Sequence, residues 1–216
     1  MVGTVNALEA AARAGASRFV FTSTGGAIYG EGAARPDELP FSESARCEPD
    51  SIYGQSKLVA EGYLDFYRRT RGLAATAVRL GNVYGARQDP ALEAGVVAIF
   101  FAAARGGERP TVFGTGKQTR DYVHVADVVA GILACAASRE PGPINLGTGV
   151  ETDVLTLVER IGPLFGRDDF RPQFAPAREG EVERTALDVS LAAERLGWRA
   201  QRTIETGLEQ TVAAEP

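Results

Sequence analysis

Hydrophobic and polar positions along the chain fall into helical and strand periods in turn. Residues 2–14 are rich in Ala and Leu and predict a helix, with Gly15 placed to end it. Arg18-Phe19-Val20-Phe21-Thr22-Ser23 is a short apolar run that predicts a strand, bounded by Gly25-Gly26. Residues 30–51 are rich in Gly, Pro, Asp and Glu and predict a surface loop. From 52 to 70, Leu58, Val59, Gly62, Tyr63 and Phe66 recur at helical spacing, and Gly72 follows. Ala74 to Leu80 predicts a second strand. Helix, strand, loop, helix, strand is an α/β alternation, which calls for a parallel sheet covered by helices.

The texture changes after Gly85. A polar loop, Ala86 to Glu93, is expected to leave the acids Asp89 to Glu93 solvated, and it leads to an apolar helix at about 95–105. A segment punctuated by Pro and Gly follows. Arg120-Asp121-Tyr122-Val123-His124-Val125 predicts a strand, and Asp127 opens a helix over about 127–138. Ile144 to Gly147 predicts a short strand, and Thr152 or Asp153 caps a helix of about 153–165. Arg171 to Phe174 and Thr185 to Asp188 precede or flank two short helices at 190–196 and 203–213. Trp198 is placed to anchor those last helices, and His124 reads as a structural residue at a strand end. No internal repeat or clean linker divides the chain, so two interleaved lobes are expected.

Composition narrows the function. The 216 residues are 44% hydrophobic and 24% charged, an ordinary globular balance. A net charge of −5 argues against nucleic acid as a partner, which requires a basic face. Cys47 and Cys135 lack metal-ligand spacing and His124 is the one histidine, so no metal site is expected. Free thiols fit a cytoplasmic location. No apolar run approaches the ~18 residues of a membrane span.

The candidate chemistry sits on the second helix. Tyr53 and Lys57, in Tyr53-Gly-Gln-Ser-Lys57, are four apart and share one helix face. An ammonium beside a phenol favours the phenolate, so this turn can form a general acid/base at neutral pH. The spacing alone also arises by chance on many helices. Upstream, a strand delivers Thr22-Ser23-Thr24 into a Gly-Gly turn, and strand ends are where α/β sheets present reactive groups.

Four ordered segments then carry a resemblance: Phe19 to Gly30, Tyr53 to Lys57, Arg79-Leu80-Gly81-Asn82-Val83-Tyr84-Gly85, and Gln118 to Val125. Together they resemble the extended short-chain dehydrogenase/reductase family, and within it the UDP-glucose (UDP-galactose) 4-epimerases. The resemblance implies an α/β fold, an incomplete Rossmann-type doubly wound parallel sheet with a smaller mixed α/β substrate lobe. Residues 1–90, interleaved with parts of 119–148, would be the later part of the NAD-binding domain, and 91–216 mainly the nucleotide-sugar lobe. Tyr53 would take the proton from the sugar 4-hydroxyl while hydride passes to NAD, and the 4-keto sugar would turn and be reduced on its other face. Lys57 would support Tyr53 and contact the nicotinamide ribose, with Thr22 and Val83 near the same cofactor. Thr24 would orient the sugar, with Ser23 as the alternative hydroxyl. Asn82, Arg120 and Arg178 would hold the sugar diphosphate, Val112 and Phe113 the uracil, and Glu181 the ribose of a UDP-sugar. Sugar selectivity is expected from Thr185 and residues 94–100. Family members are often homodimers, for which the helices at 2–14 and 52–70 are candidates.

The chain departs from that pattern at its front. A dinucleotide-binding fold opens with a strand, a glycine-rich turn and a helix. Gly25-Gly26 follows the strand carrying Thr24, and Gly114-x-Gly116 lies late in the chain. About three βα units, on the order of 90–100 residues, are expected to be missing, so the chain is read as a fragment of impaired activity. Two alternatives stay open: a nucleotide-sugar dehydratase or decarboxylase of the same family, or a non-catalytic UDP-sugar-binding module. The dehydratases resemble a pattern with Asp-Glu directly after the strand-end Thr, where this chain has Gly25-Gly26.

Overall fold

A computed structural model gives the fold and describes residues 2–91 and 95–214. The expectations for residues 92–94, the end of the polar loop and the start of the selectivity stretch, lie outside the described residues. In chain order the elements are α1 (Val2–Arg13), β1 (Phe19–Thr24), α2 (Ile52–Arg71), β2 (Ala75–Leu80), β3 (Asn82–Tyr84), α3 (Val96–Arg105), β4 (Thr111–Phe113) and β5 (Thr119–His124). They continue with α4 (Val125–Ala137), β6 (Ile144–Leu146), β7 (Glu151–Asp153), α5 (Val154–Leu164), β8 (Gln173–Ala175), α6 (Ser190–Leu196) and α7 (Ile204–Ala213).

The first sheet is parallel, in the order β1-β2-β6. Phe19 to Thr24 run in register with Ala75 to Leu80. The late strand β6 joins the far side of β2, pairing Val78 with Ile144 and Leu80 with Leu146. Among the described residues no strand covers the outer edge of β1. Helices cover both faces. Leu8 of α1 and Leu64 and Tyr67 of α2 pack with Ala75 and Ala77 on one side. Cys135 of α4, Ala192 of α6 and Trp198 pack with Val78, Ile144 and Leu146 on the other. This is a Rossmann-type α/β arrangement. Trp198 is the expected anchor, its indole N–H donating to the Asp127 carbonyl at 3.0 Å.

A second, mixed sheet has β3 parallel to β5 and β7 antiparallel to β5. A two-stranded parallel pair, β4 with β8, stands beside it. Phe100 and Phe101 of α3, Leu157 and Ile161 of α5, Phe170 and Leu208 of α7 form the core here.

Three sequence expectations change, and one choice left open is decided. The strands β3, β4 and β7 were not foreseen, because each is three residues long and exists only through distant partners. Helix α4 starts at Val125 rather than Asp127, since His124 caps it: its Nδ1 accepts from the Ala126 N–H at 3.2 Å. Burial holds the His124 pKa down, which suits a neutral acceptor. Asp153 rather than Thr152 caps α5, accepting from the Thr156 N–H at 2.7 Å. The 30–51 segment is not simply a surface loop, for it buries Phe41 completely against Tyr29 and Leu187. A fully buried aromatic of this kind contributes about 1.5–3 kcal/mol. Backbone bonds from Gly32 to Arg184, Phe41 to Ala186 and Asp188 to Phe41 stitch this segment to the late chain.

Candidate active site

The site starts where β1 ends. Ser51 caps α2, its hydroxyl accepting from the Gly54 N–H at 3.0 Å. Gly54 lies so close to the turn after β1 that an added Cβ would overlap the Ala27 carbonyl oxygen. That contact brings the first turn of α2, with Tyr53, onto the Thr24–Ala27 turn. Tyr53 is 55% exposed, so its phenol is open to a ligand. The Lys57 ammonium donates to the Thr22 carbonyl at 2.8 Å and lies 5.7 Å from the Tyr53 ring centre. Burial lowers its pKa. An ammonium carries three donors, so two remain for other partners.

Strand alternation separates the three hydroxyls of β1. Thr24 is buried at the strand end, and its hydroxyl makes no hydrogen bond within the described residues. Ser23, the alternative, points to the opposite face and donates to Glu61 at 2.6 Å. It is engaged in the interior, on the face away from Thr24. Thr22 is exposed and offers its backbone to Lys57.

Ser23 opens a buried network that the sequence did not announce. Arg79 of β2 grips Glu61 through Nη2 at 2.7 Å and Nε at 3.1 Å. Its other arm donates to the Tyr29 hydroxyl at 2.9 Å, which in turn donates to Asn145 Oδ1 at 2.8 Å. Burial works against the Arg79 charge, but Glu61 and Tyr29 outweigh it and raise its pKa. Burial pushes Tyr29 up to about 12, so it stays a donor. An arginine inside an otherwise apolar strand was the available cue, since buried arginines come paired.

Beyond β3, a cavity of 290 Å³ is lined by Asn82, Val112, Phe113, Arg120, Arg178 and Glu181 among others. These are the six residues that the sequence grouped with Thr24 around one ligand. Arg120 donates to the Thr119 carbonyl at 2.8 Å and lies 3.7 Å from the Glu181 carboxylate. The Arg178 guanidinium lies over the Phe113 ring, 3.9 Å from its centre. Ile99 and Phe100 join the lining, whereas Thr185 is buried elsewhere and does not. Val83 lies mid-β3, paired with Val123, and is not part of this cavity.

Two glycines and a carboxylate tie the parts together. A Cβ on Gly25 would stand 2.5 Å from Leu187 Cδ1, and one on Gly26 would stand 2.9 Å from Asn82 Oδ1. Asp121, buried beside Arg120, accepts from the Thr148, Gly149 and Leu187 N–H groups and the Thr148 hydroxyl. Burial raises its pKa, and these four donors oppose that rise. A larger cavity of 510 Å³ lies near Tyr122, Glu151 and Arg202. Two of its charges are already paired, Arg202 with Asp127 and Glu151 with Arg184, and it holds none of the expected site residues. Among the described residues no cluster of three His, Cys, Asp or Glu side chains is arranged to hold a metal. Both cysteines are free, and no described helix is long and apolar enough to cross a membrane.

The family profile described as NAD dependent epimerase/dehydratase matches residues 1–147. The chain belongs to that family. It is similar to the UDP-glucose 4-epimerase of Mycolicibacterium smegmatis, 42% identical over 98% of this chain and 66% of that protein. It is 40% identical to the putative UDP-glucose 4-epimerase of Methanocaldococcus jannaschii, over 98% of this chain and 67% of that one. The crystal structure of UDP-glucose 4-epimerase from Thermotoga maritima with UDP-glucose superposes with a TM-score of 0.94 and 41% identity, over 99% of this chain and 68% of that chain. More distantly, UDP-glucuronic acid decarboxylase 1 of Danio rerio is 31% identical over half of its own length. The chain thus spans about two thirds of the length of its nearer family relatives.

Proposed function

We propose that this chain carries the acid/base and nucleotide-sugar part of an NAD-dependent UDP-hexose 4-epimerase. The observation that bears most weight is Lys57, held between the Thr22 carbonyl and the Tyr53 ring at the mouth of the parallel sheet. Tyr53 takes the proton from the sugar 4-hydroxyl and later returns it to the 4-keto sugar. Lys57 favours the phenolate through its charge. Thr24, free of other partners, orients the sugar oxygen. Asn82, Arg120 and Arg178 take the diphosphate, for which a guanidinium fork is geometrically suited. Val112 and Phe113 take the uracil, and Glu181 the ribose.

The residues fit a nicotinamide. Lys57 has two spare donors beside an exposed phenol, at the carboxyl ends of parallel strands where such ligands bind. Tyr53, Lys57, Thr22 and Val83 would hold it. NAD, when bound, supplies the hydride acceptor and donor. On this proposal residues 1–90 with parts of 119–148 serve the cofactor and 91–216 mainly the sugar nucleotide. Two copies would associate through α1 and α2, where Phe66 is half exposed.

Gly25 and Gly26 favour epimerisation over dehydration. Acidic side chains there would displace Leu187 and Asn82. A second proposal, a UDP-sugar-binding module without turnover, is favoured by the cavity being formed wholly within this chain. Incubation with NAD and UDP-galactose is expected to yield UDP-glucose. Tyr53→Phe should lower turnover by about 10²–10⁴-fold and leave UDP affinity, measured by calorimetry, within about twofold. UDP binding with no turnover would favour the module, and turnover surviving Tyr53→Phe would remove Tyr53 as the base.

A further inference from the structure

Tyr53, Lys57 and Glu61 stand at successive i, i+4 positions of α2. Opposite charges at that spacing are within reach of each other on a helix. Lys57 and Glu61 do not pair. Lys57 turns to the Thr22 carbonyl and pairs with no carboxylate among the described residues. Glu61 has both oxygens occupied: Oε1 by the Ser23 hydroxyl at 2.6 Å and Arg79 Nε at 3.1 Å, Oε2 by Arg79 Nη2 at 2.7 Å. The Arg79 and Glu61 side chains are 6% and 10% exposed, so the pair is sheltered from water. Tyr29 and Asn145 fix the far arm of Arg79 from behind. The direction of the Glu61 carboxylate is therefore set from β1 and β2 and not from its own helix.

We propose that Arg79 is a positioning residue for Lys57: it holds the Glu61 carboxylate under α2 and keeps it from neutralising the ammonium one turn away. This rests on the role proposed for Lys57. Two features of the site agree with it. A fork is needed to hold both Glu61 oxygens, and lysine has none. Lys57 also titrates low through burial, with no carboxylate acting on it.

The chain has two lysines, Lys57 and the exposed Lys117, which makes the test direct. The purified chain is acetylated at low reagent ratio across pH 7–10, and each lysine is followed by peptide mass spectrometry. Lys117 serves as the internal standard. In Arg79→Met the freed Glu61 should pair with Lys57. Its relative acetylation rate near pH 8 should fall by about 1.5- to twofold, the strength of an i, i+4 ion pair, and its midpoint should rise. Arg79→Met/Glu61→Gln should restore the wild-type rate and midpoint. If both variants shift Lys57 alike, or neither does, Arg79 merely supports the fold and the inference is overturned. Should Arg79→Met fail to fold, Arg79→Lys, which keeps a cation without the fork, is compared with Arg79→Lys/Glu61→Gln by the same criterion. The measurement needs neither NAD nor turnover. It therefore fails or succeeds separately from the epimerase proposal, which the Tyr53→Phe experiment decides.

Discussion

Around Glu61, Ser23, Arg79 and Tyr29 are joined by hydrogen bonds of 2.6 to 2.9 Å, inside the protein. Around the 290 Å³ cavity, Arg120 stands 3.7 Å from Glu181, and Arg178 rests on the Phe113 ring. The first region fixes its charges with several partners each. The second leaves its charges in loose, exchangeable contacts. Proton transfer tolerates little displacement between groups, whereas a diphosphate can be met by side chains that swing. The two regions divide these demands between them.

The sharpest way to break the contrast is Arg79→Met. Breaking a buried ion pair costs about 3–5 kcal/mol, of which a new i, i+4 pair with Lys57 returns only about 0.2–0.5 kcal/mol, so urea unfolding should show a loss close to the first figure. Arg79→Met/Glu61→Gln should recover part of it. A loss below about 1 kcal/mol would mean the network is no more fixed than the cavity. Next in size is Arg178→Ala. Losing one charged hydrogen-bonding partner of the diphosphate should weaken UDP binding by about tenfold or more, as measured by calorimetry, with the unfolding midpoint almost unchanged. An equal loss of stability and affinity would show that Arg178 belongs with the fixed region.

The smallest effect concerns Glu151, whose pKa is held below its ordinary 4.5, first by the Arg184 hydrogen bond, against burial, and also by Thr119. A depressed carboxylate stabilises the fold above its unfolded pKa and loses that contribution as pH falls through the folded one. Stability should thus decline below about pH 4.5, and Glu151→Gln should flatten part of that decline. Arg184 is 42% exposed, so solvent screens the pair and the effect is small.

Much of this was legible before any coordinates. Gly72 ends α2 in the left-handed conformation that a glycine placed there suits. The Tyr53–Lys57 spacing put both groups on one face, and the six cavity residues came from the family resemblance, with Asn82 and Arg120 inside its four segments. The remainder depends on partners far away in sequence. Thr111–Phe113 becomes a strand only against Gln173–Ala175. Ser23 stood as the alternative to Thr24, and strand alternation turns it toward Glu61. Asp127 looked like a helix cap, but Arg202 holds its carboxylate at 2.6 Å. Thr185 lies outside the cavity that it was expected to shape. In each case local propensity was overruled by a contact that no window of sequence contains.

The seam between residues 31–41 and 183–188 also governs how the chain is made. Glu31 accepts from the Arg184 N–H across 153 residues, and Phe41 is buried in part by Leu187. At synthesis rates of ~5–20 residues per second, Phe41 waits roughly 8–30 s for its cover. Through that interval the nascent chain presents an uncovered aromatic surface, so its yield in the cell should follow the supply of chaperone more closely than the stability of the finished fold.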